Sequence, residues 1–250
     1  AIKTNIVGSQ NVIDASIEQD VDKVVCIGTD KAVSPLNTYG ATKLIMEKLF
    51  VSANNYINVE KHRTKFVALR YGNVLGSSGS VIPKFIELMK KKYPLPITDH
   101  RMTRFTITMK EALDFIINAT KISKGSEIFI PKISAYDMKL LISSLNELLE
   151  KSDEKIIGTR PGEKLHETLI NPDELQYTYE INDLYVILSP LIFPATNSSP
   201  NMRNFSQEEL ESRYPGIKKI TSMGSYSSDT APKISQDEFK TKILDSGLID

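Results

Sequence analysis

Apolar positions outline the chain before any chemistry does. Lys23-Val24-Val25-Cys26-Ile27-Gly28 and Lys65-Phe66-Val67-Ala68-Leu69-Arg70-Tyr71 are short runs rich in β-branched and aromatic residues, the pattern of buried strands. Between them Ile45, Met46, Leu49, Phe50 and Ala53 recur at helical spacing. Ahead of the first run, Ile2 to Gln19 reads as an amphipathic helix. Gly8 inside it costs about 1 kcal/mol relative to alanine, which predicts a close contact with a neighbouring strand. From about residue 84 the pieces shorten. Phe105-Thr106-Ile107, Ile128-Phe129-Ile130 and Lys155-Ile156-Ile157 read as brief strands. Ala112, Leu113, Ile116 and Ile117 mark one helix, and Met138, Leu141, Ile142, Leu145, Leu148 and Leu149 a strongly amphipathic second. Residues 190–235 are rich in Ser, Asn, Pro and Thr and read as loosely ordered, after which Ser235 caps a last helix with Phe239, Ile243 and Leu244 on its apolar side. The pattern predicts an α/β fold, parallel strand–helix units first and a smaller lobe after.

The stretch from Thr29 to Lys43 joins the first strand to the central helix. In open α/β sheets ligands bind outside the carboxyl ends of the strands, so this loop is the candidate site. Pro35 stiffens it and Asn37 is placed to cap the helix. Tyr39 and Lys43, four apart, share one helix face. An ammonium beside a phenol favours the phenolate, and a tyrosine so placed takes a proton from a hydroxyl near neutral pH. Taken alone, that spacing describes an ordinary helix with a surface lysine and a half-buried tyrosine. Asp30 and Lys31, a carboxyl and an amine on the same loop, change the picture.

Composition narrows the classes. At 250 residues the chain is one large domain or two small ones. With 31 basic against 31 acidic residues the formal charge is zero, so neither nucleic acid nor a membrane surface is expected as a partner. Lys90-Lys91-Lys92 reads as a solvated helix end. The single cysteine, Cys26, excludes an internal disulfide and fits a reducing compartment, so a cytoplasmic location is expected. No signal peptide and no apolar run near 18 residues is found, hence no membrane span is expected. Three scattered histidines and one cysteine lack ligand spacing, so no metal site is expected.

Several motifs follow the candidate loop in order: Arg70-Tyr71-Gly72-Asn73-Val74, Gly76-Ser77-Ser78-Gly79-Ser80-Val81-Ile82-Pro83, Pro96-Ile97-Thr98-Asp99, Arg101-Met102-Thr103-Arg104-Phe105, Arg160-Pro161-Gly162-Glu163-Lys164-Leu165-His166-Glu167 and Tyr226-Ser227-Ser228-Asp229. With Thr29–Lys43 they resemble the soluble, inverting UDP-N-acetylglucosamine 4,6-dehydratases. These belong to the nucleotide-sugar branch of the extended short-chain dehydrogenase/reductase superfamily. Residues 190–222 match least. The resemblance implies a Rossmann-like parallel sheet, its N-terminal part missing, with a smaller C-terminal substrate-binding lobe. Residues 1–83 would be the C-terminal part of the NADP-binding domain. Residues 84–189 would be mostly substrate lobe with some returns to the main sheet, and 190–250 a loosely ordered extension. The cofactor implied is NADP or NAD, recycled within each cycle and touched by Thr29, Tyr39, Lys43, Tyr71, Gly72 and Val74. The UDP-sugar would meet Asn73, Val81, Thr98, Arg101, Arg104, Arg160 and Glu163. Arginine suits a diphosphate because its planar fork matches phosphate oxygens, and Glu163 suits sugar hydroxyls. Any one of these arginines, by itself, reads as a surface residue, and the glycine-serine loop as a connector. A homo-oligomer is implied for the intact form.

The resemblance also implies a reaction. Tyr39 takes the proton from the sugar 4-hydroxyl, Lys31 as a neutral amine removes the C5 proton, and protonated Asp30 donates to the departing 6-hydroxyl. The product would be UDP-2-acetamido-2,6-dideoxy-β-L-arabino-hex-4-ulose, on the route to pseudaminic acid or a related surface sugar. Retaining dTDP-glucose dehydratases carry Asp-Glu where this chain has Asp30-Lys31, 4-epimerases carry small or hydroxyl residues there, and long membrane-bound relatives carry Met in place of Tyr39. An epimerase and an inactive fragment or subunit half are the competing expectations. The second arises because the phosphate-binding G-x-x-G-x-x-G turn is not found. Gly8, Gly76 and Gly79 lack its spacing, and at about 30 residues per strand–helix unit roughly 100 residues would precede Ala1. The role of Tyr226-Ser227-Ser228-Asp229 is not legible beyond an inter-subunit or terminal docking contact.

Overall fold

A computed structural model describes residues 1–58, 60–188 and 206–249. The chain forms two compact units, one of Ala1–Tyr71, Phe115–Lys132 and Leu169–Ser225, the other of Gly72–Asp114, Ile133–Thr168 and Tyr226–Asp250.

The first unit is built on a six-stranded sheet in the spatial order Lys23–Ile27, Lys65–Leu69, Glu127–Pro131, Leu184–Leu188, Thr178–Ile181, Lys218–Lys219. The first three strands are parallel, with Lys23 opposite Lys65 and Ile27 opposite Leu69. The other three join antiparallel. The expectation of a parallel sheet holds for the half that carries the candidate loop. The antiparallel half follows from a two-residue hairpin, Asn182-Asp183, in which Asn182 takes a left-handed φ of 49°. Asn is a residue that tolerates such turns. Glu127–Pro131 contains the Ile128-Phe129-Ile130 run, which belongs to this sheet. On the sheet Val67, Leu69 and Phe129 pack with Phe115 and Ala119 of the helix Met109–Ile122. One carboxylate is buried at the start of the central strand Glu127–Pro131: Glu127 accepts from the backbone N–H groups of Lys124 and Gly125, and the Tyr214 hydroxyl donates to it.

Two helices precede and follow the first strand. The expected helix from Ile2 to Gln19 starts with a π-helical turn, Lys3–Val7, and continues as an α-helix, Gly8–Glu18. No neighbouring strand approaches Gly8. A Cβ there would meet only the Lys3 carbonyl, at 3.5 Å, so the glycine sits where the π-turn hands over to the α-helix. The central helix runs Thr38–Ala53, and the Asn37 side chain caps it by accepting from Gly40 N–H at 2.9 Å.

The second unit holds a three-stranded sheet of Asn73–Val74, Thr103–Ile107 and Ala135–Asp137, and a parallel pair Leu95–Ile97 with Glu154–Ile156. Helices Val81–Lys90, Met138–Leu148 and Gln236–Asp245 close a core that includes Phe85, Leu95, Leu141, Tyr136 and Phe239. Tyr136 and Phe239 stack at 4.8 Å between centroids. The expectation of a loosely ordered extension falls partly outside the described residues. Residues 189–205 lie outside the described residues, whereas Gln207–Arg213 and Gln236–Asp245 are helices. The last helix is the one expected, with Ser235 accepting from Glu238 N–H and Phe239 and Ile243 buried, whereas polar composition hid the start of Gln207–Arg213, where Ser206 and Glu209 form a reciprocal capping box. Among the described residues no helix is long and apolar enough to cross a membrane.

Gly28 follows the first strand and its N–H donates to Leu69 O at 2.8 Å. A Cβ there would sit 2.3 Å from that same oxygen. Gly28→Ala is therefore expected to destabilise the protein by roughly 1–3 kcal/mol, the range for forced overpacking. Urea unfolding measures it; a loss under about 0.5 kcal/mol, the range of neutral surface changes, would show that the two segments are not held that tightly.

Candidate functional site

Two backbone bonds set the candidate loop. Gly28 N–H donates to Leu69 O, and Asp30 N–H donates to Tyr71 O at 3.3 Å, so the chain leaving the first strand is laid along the end of the second. Asp30–Ala32 is then a 3-10 turn, started by Thr29, whose side chain accepts from Lys31 N–H. Asp30 is buried, 1% exposed. Its Oδ1 accepts from the Thr29 hydroxyl at 2.8 Å and from Lys31 Nζ at 3.1 Å. Its Oδ2 is buried with no hydrogen-bond partner among the described residues. A carboxylate oxygen left so costs free energy that folding does not recover locally.

The helix Thr38–Ala53 packs against this turn. Its first turn approaches so closely that a Cβ on Gly40 would lie 2.7 Å from Lys31 O. Tyr39 is half exposed, at 49%, and Lys43 Nζ lies 5.9 Å from its ring centroid. Neither the Tyr39 hydroxyl nor Lys43 Nζ has a hydrogen-bond partner among the described residues. Tyr71 completes this half of the set, its carbonyl on Asp30 and its ring edge-on to Phe115 at 6.0 Å. Burial pushes its hydroxyl above the ordinary tyrosine range. Thr29, Asp30, Lys31, Tyr39, Lys43 and Tyr71 therefore belong to one unit. Cys26 nearby is chemically quiet, since burial, then the Glu47 charge, push its thiol up to about 12.

The other candidates lie in the second unit. Gly72, Asn73 and Val74 open it, with Gly72 packed against Phe105. Asn73, Val74 and Val81 line a small cavity of about 10 Å³ with Ser80, Thr106 and Tyr136. Asn73 Oδ1 and Ser80 Oγ are buried without partners among the described residues. Thr98 is half-buried just before Asp99, which holds Arg101 by a two-oxygen grip at 2.8 to 3.3 Å. That hydrogen bonding holds the Asp99 carboxyl at about 2. Arg160 is exposed, and its N–H turns back to Glu163 Oε2 at 3.3 Å. Arg104 differs from both. It is largely buried, donates to the carbonyls of Thr103 and Leu165, and lies 3.7 and 3.8 Å from Glu163 and Glu167. Arg104 and Glu163 are thus a pair, and Arg104 is already engaged where Arg101 and Arg160 project.

The Tyr226-Ser227-Ser228-Asp229 motif is a local stitch. The Tyr226 hydroxyl accepts from Ile133 N–H at 2.8 Å and donates to Ile133 O at 2.9 Å. Ser228 Oγ accepts from Glu167 N–H at 2.9 Å and lies 2.6 Å from Thr103 Oγ1, which meets His166 Nδ1 at 2.8 Å. The motif ties the Arg104 strand to the Arg160–Glu167 segment, a role that depends on contacts distant in sequence.

Sequence reasoning passed over the most saturated group in the first unit. Arg70 is fully buried and donates to Glu47, Glu174 and Leu169 O. The signal was a charged residue closing an apolar strand run, with Glu47 on the helix's buried face between Met46 and Phe50.

A mixed sheet whose parallel half leads into this tyrosine–lysine helix defines a Rossmann-type α/β protein. The comparisons with known proteins agree. The family model for polysaccharide biosynthesis proteins matches residues 1–189. The chain is 44% identical, over 233 residues, to UDP-N-acetylglucosamine 4,6-dehydratase (inverting) of Campylobacter jejuni, covering 93% of this chain and 66% of that one. It is 33% identical over 245 residues to UDP-glucose 4-epimerase of Rickettsia massiliae, covering 98% and 67%. The crystal structure of Pen from Bacillus thuringiensis superimposes with a TM-score of 0.80 at 36% identity, over all of this chain and 70% of that one. The chain belongs to the polysaccharide biosynthesis protein family. It spans about two thirds of the length of the curated dehydratases it matches, 66%.

Glu174 offers a test of the buried charges. Burial works to raise its carboxyl, but the hydrogen bonds and charge of Arg70 outweigh that and hold it below the ordinary value of 4.5. A depressed carboxyl contributes stability above its unfolded value and loses it as pH falls through the folded one. Glu174→Gln should therefore be less stable at pH 7 by roughly 1–3 kcal/mol, with the gap to wild type closing in acid. Urea midpoints at both pH values measure this, and a gap independent of pH would rule out the ion pair as its source.

Proposed function

We propose that the protein is a nucleotide-sugar dehydratase. It would act on UDP-N-acetylglucosamine, oxidising C4, eliminating water across C5 and C6, and inverting C5. The observation that carries this reading is the Asp30–Lys31 pair at 3.1 Å beside an unpartnered Asp30 Oδ2. Elimination of water needs a base and an acid at once. An ammonium–carboxylate pair and an amine–carboxylic acid pair contain the same single proton, exchanged along one hydrogen bond. The pair therefore holds the proton inventory for the step without drawing on solvent. Lys31 as the amine removes the C5 proton, which the C4 ketone acidifies. Asp30 as the acid gives its proton to the departing 6-hydroxyl, and water leaves. Tyr39 accepts the 4-hydroxyl proton first, with Lys43 on the same helix face.

A nicotinamide dinucleotide, when bound, takes the C4 hydride and later returns it to C6, so no net redox change occurs. Tyr39, Lys43, Thr29 and Tyr71 would hold it, with Gly72 and Val74; NADP is the form proposed, with NAD the alternative. Arg101 and Arg160 are the guanidinium groups best exposed for a diphosphate. Asn73, Val81, Thr98 and the Arg104–Glu163 pair would meet the rest of the UDP-sugar. The product would be UDP-2-acetamido-2,6-dideoxy-β-L-arabino-hex-4-ulose, a precursor of pseudaminic acid or a related surface sugar, made by a homo-oligomer in the cytoplasm.

The epimerase relative favours a second reading, in which hydride returns to C4 and no water is lost. Lys31 weighs against it, since an epimerase has no C5 proton to remove. Incubation of the full-length protein, as the cell makes it, with UDP-N-acetylglucosamine in deuterated water separates the two. The expected product is lighter by one water and carries deuterium at C5. Lys31→Met should abolish that loss and lower turnover by about 100-fold or more, the scale of a removed general base. A product of unchanged mass would mean epimerisation; no product would leave a subunit half or inactive fragment.

A further inference from the structure

Arg70 has five N–H donors, and all five are spent. Nε and Nη2 donate to Glu47 Oε2 and Oε1, both at 2.6 Å. Nη1 and Nη2 donate to Glu174 Oε2 and Oε1 at 2.9 and 2.7 Å, and Nη1 also to Leu169 O at 3.0 Å. Nothing remains for a ligand, so a substrate or cofactor contact is excluded for this side chain. Its place in the chain gives it another use. The residues on either side of it, Leu69 and Tyr71, are the carbonyls that hold Gly28 and Asp30. Glu47 lies one turn from Lys43 and two turns from Tyr39 on the same helix. One guanidinium therefore grips the tyrosine–lysine helix by its side chain, while its neighbours in the backbone grip the acid–base turn.

We propose that Arg70, acting through Glu47 and Glu174, is a positioning residue that fixes the height and rotation of the Thr38–Ala53 helix against the Asp30–Lys31 turn. The inference rests on the dehydratase reading of Asp30, Lys31 and Tyr39. Stability is a poor reason to bury three charges, because well-packed apolar residues of similar volume commonly do as well or better. What an apolar contact does not supply is registry: a methyl surface tolerates sliding, whereas a two-pronged guanidinium–carboxylate fit has one geometry. Catalytic groups need placement within about 0.5 Å, and a misplacement of 1 Å can cost about 100-fold in rate.

The test separates registry from stability. Two variants of the full-length protein are compared with wild type: Glu47→Gln, which keeps shape but breaks the double grip, and the combined Arg70→Met, Glu47→Leu, Glu174→Leu, which replaces the charges by apolar volume. 3-Fluorotyrosine at position 39 reports the helix's setting by fluorine NMR without any need for turnover. The combined variant is expected to fold with a melting temperature near wild type, to shift the fluorine resonance, and to lose about 100-fold in kcat with KM for the UDP-sugar changed less than about 3-fold. Wild-type kcat in a folded combined variant, or an unmoved resonance, overturns the proposal. Should that variant not fold, Glu47→Gln decides by the same two readouts. If wild type itself turns over no UDP-sugar, the dehydratase reading fails and the resonance alone decides the positioning role.

Discussion

The first unit depends on one buried cation. Arg70 is taken wholly out of water, a costly step unless every donor finds an acceptor. Here two carboxylates and a carbonyl supply five. Burial alone would lower its affinity for the proton, but Glu47 and Glu174 more than reverse that and fix the charge. The charges nearly balance, since Lys48 stands 3.7 Å from Glu47 at the surface. Three elements meet at this point: the end of a parallel strand, the central helix, and the short helix Pro172–Leu175 that carries Glu174. Glu174 closes that helix's capping box with Asn171 as well, so its position is set twice over. A network satisfied this fully rigidifies. It ties the helix that carries Tyr39 and Lys43 to the strand whose end holds the Asp30 turn.

Close approach is the second constraint, and it serves the same end. Gly28 and Gly40 are places where a Cβ would collide with backbone, Leu69 O in one case and Lys31 O in the other. Both lie between the acid–base turn and its supports. The turn is thus pressed against the strand end on one side and the helix start on the other. Asp30 shows the consequence, with one oxygen doubly bonded and the other buried bare.

What could be seen in the sequence was what is local. The helix from Thr38, its Asn37 cap and the shared face of Tyr39 and Lys43 follow from spacing, and the structure bears them out. The two parallel strands beside them also lie where the apolar runs put them, but only Lys65–Leu69 is buried along its apolar residues; in Lys23–Ile27, at the end of the strand order, Cys26 alone is buried and Ile27 is exposed. The antiparallel half of the sheet was missed although Asn182-Asp183 is a hairpin signal, because the run around it did not alternate cleanly. The π-turn at Lys3–Val7 leaves no mark in an amphipathic pattern. The stitch made by Tyr226 and Ser228 joins residues more than 60 positions apart, and no local rule points to it. Arg70 was quoted within a motif yet given no role, since nothing in its own strand reveals that Glu47 and Glu174 will face it.

The arginines of the second unit show why residue type alone under-determines chemistry. Arg101, Arg104 and Arg160 are equal as sequence, each a candidate for phosphate. In the structure their surroundings divide them. Arg104, close to two carboxylates and bonded to two carbonyls, has its charge compensated by Glu163 and Glu167, so an anion would have to compete with groups already in place. Arg160 has no side-chain partner among the described residues, and Arg101 is held by Asp99 alone while remaining largely exposed. An anion gains most from a cation whose charge is least spent. On that ground, under the proposed reading, a diphosphate would be drawn first to Arg160, since Arg101 and Arg104 already face carboxylates.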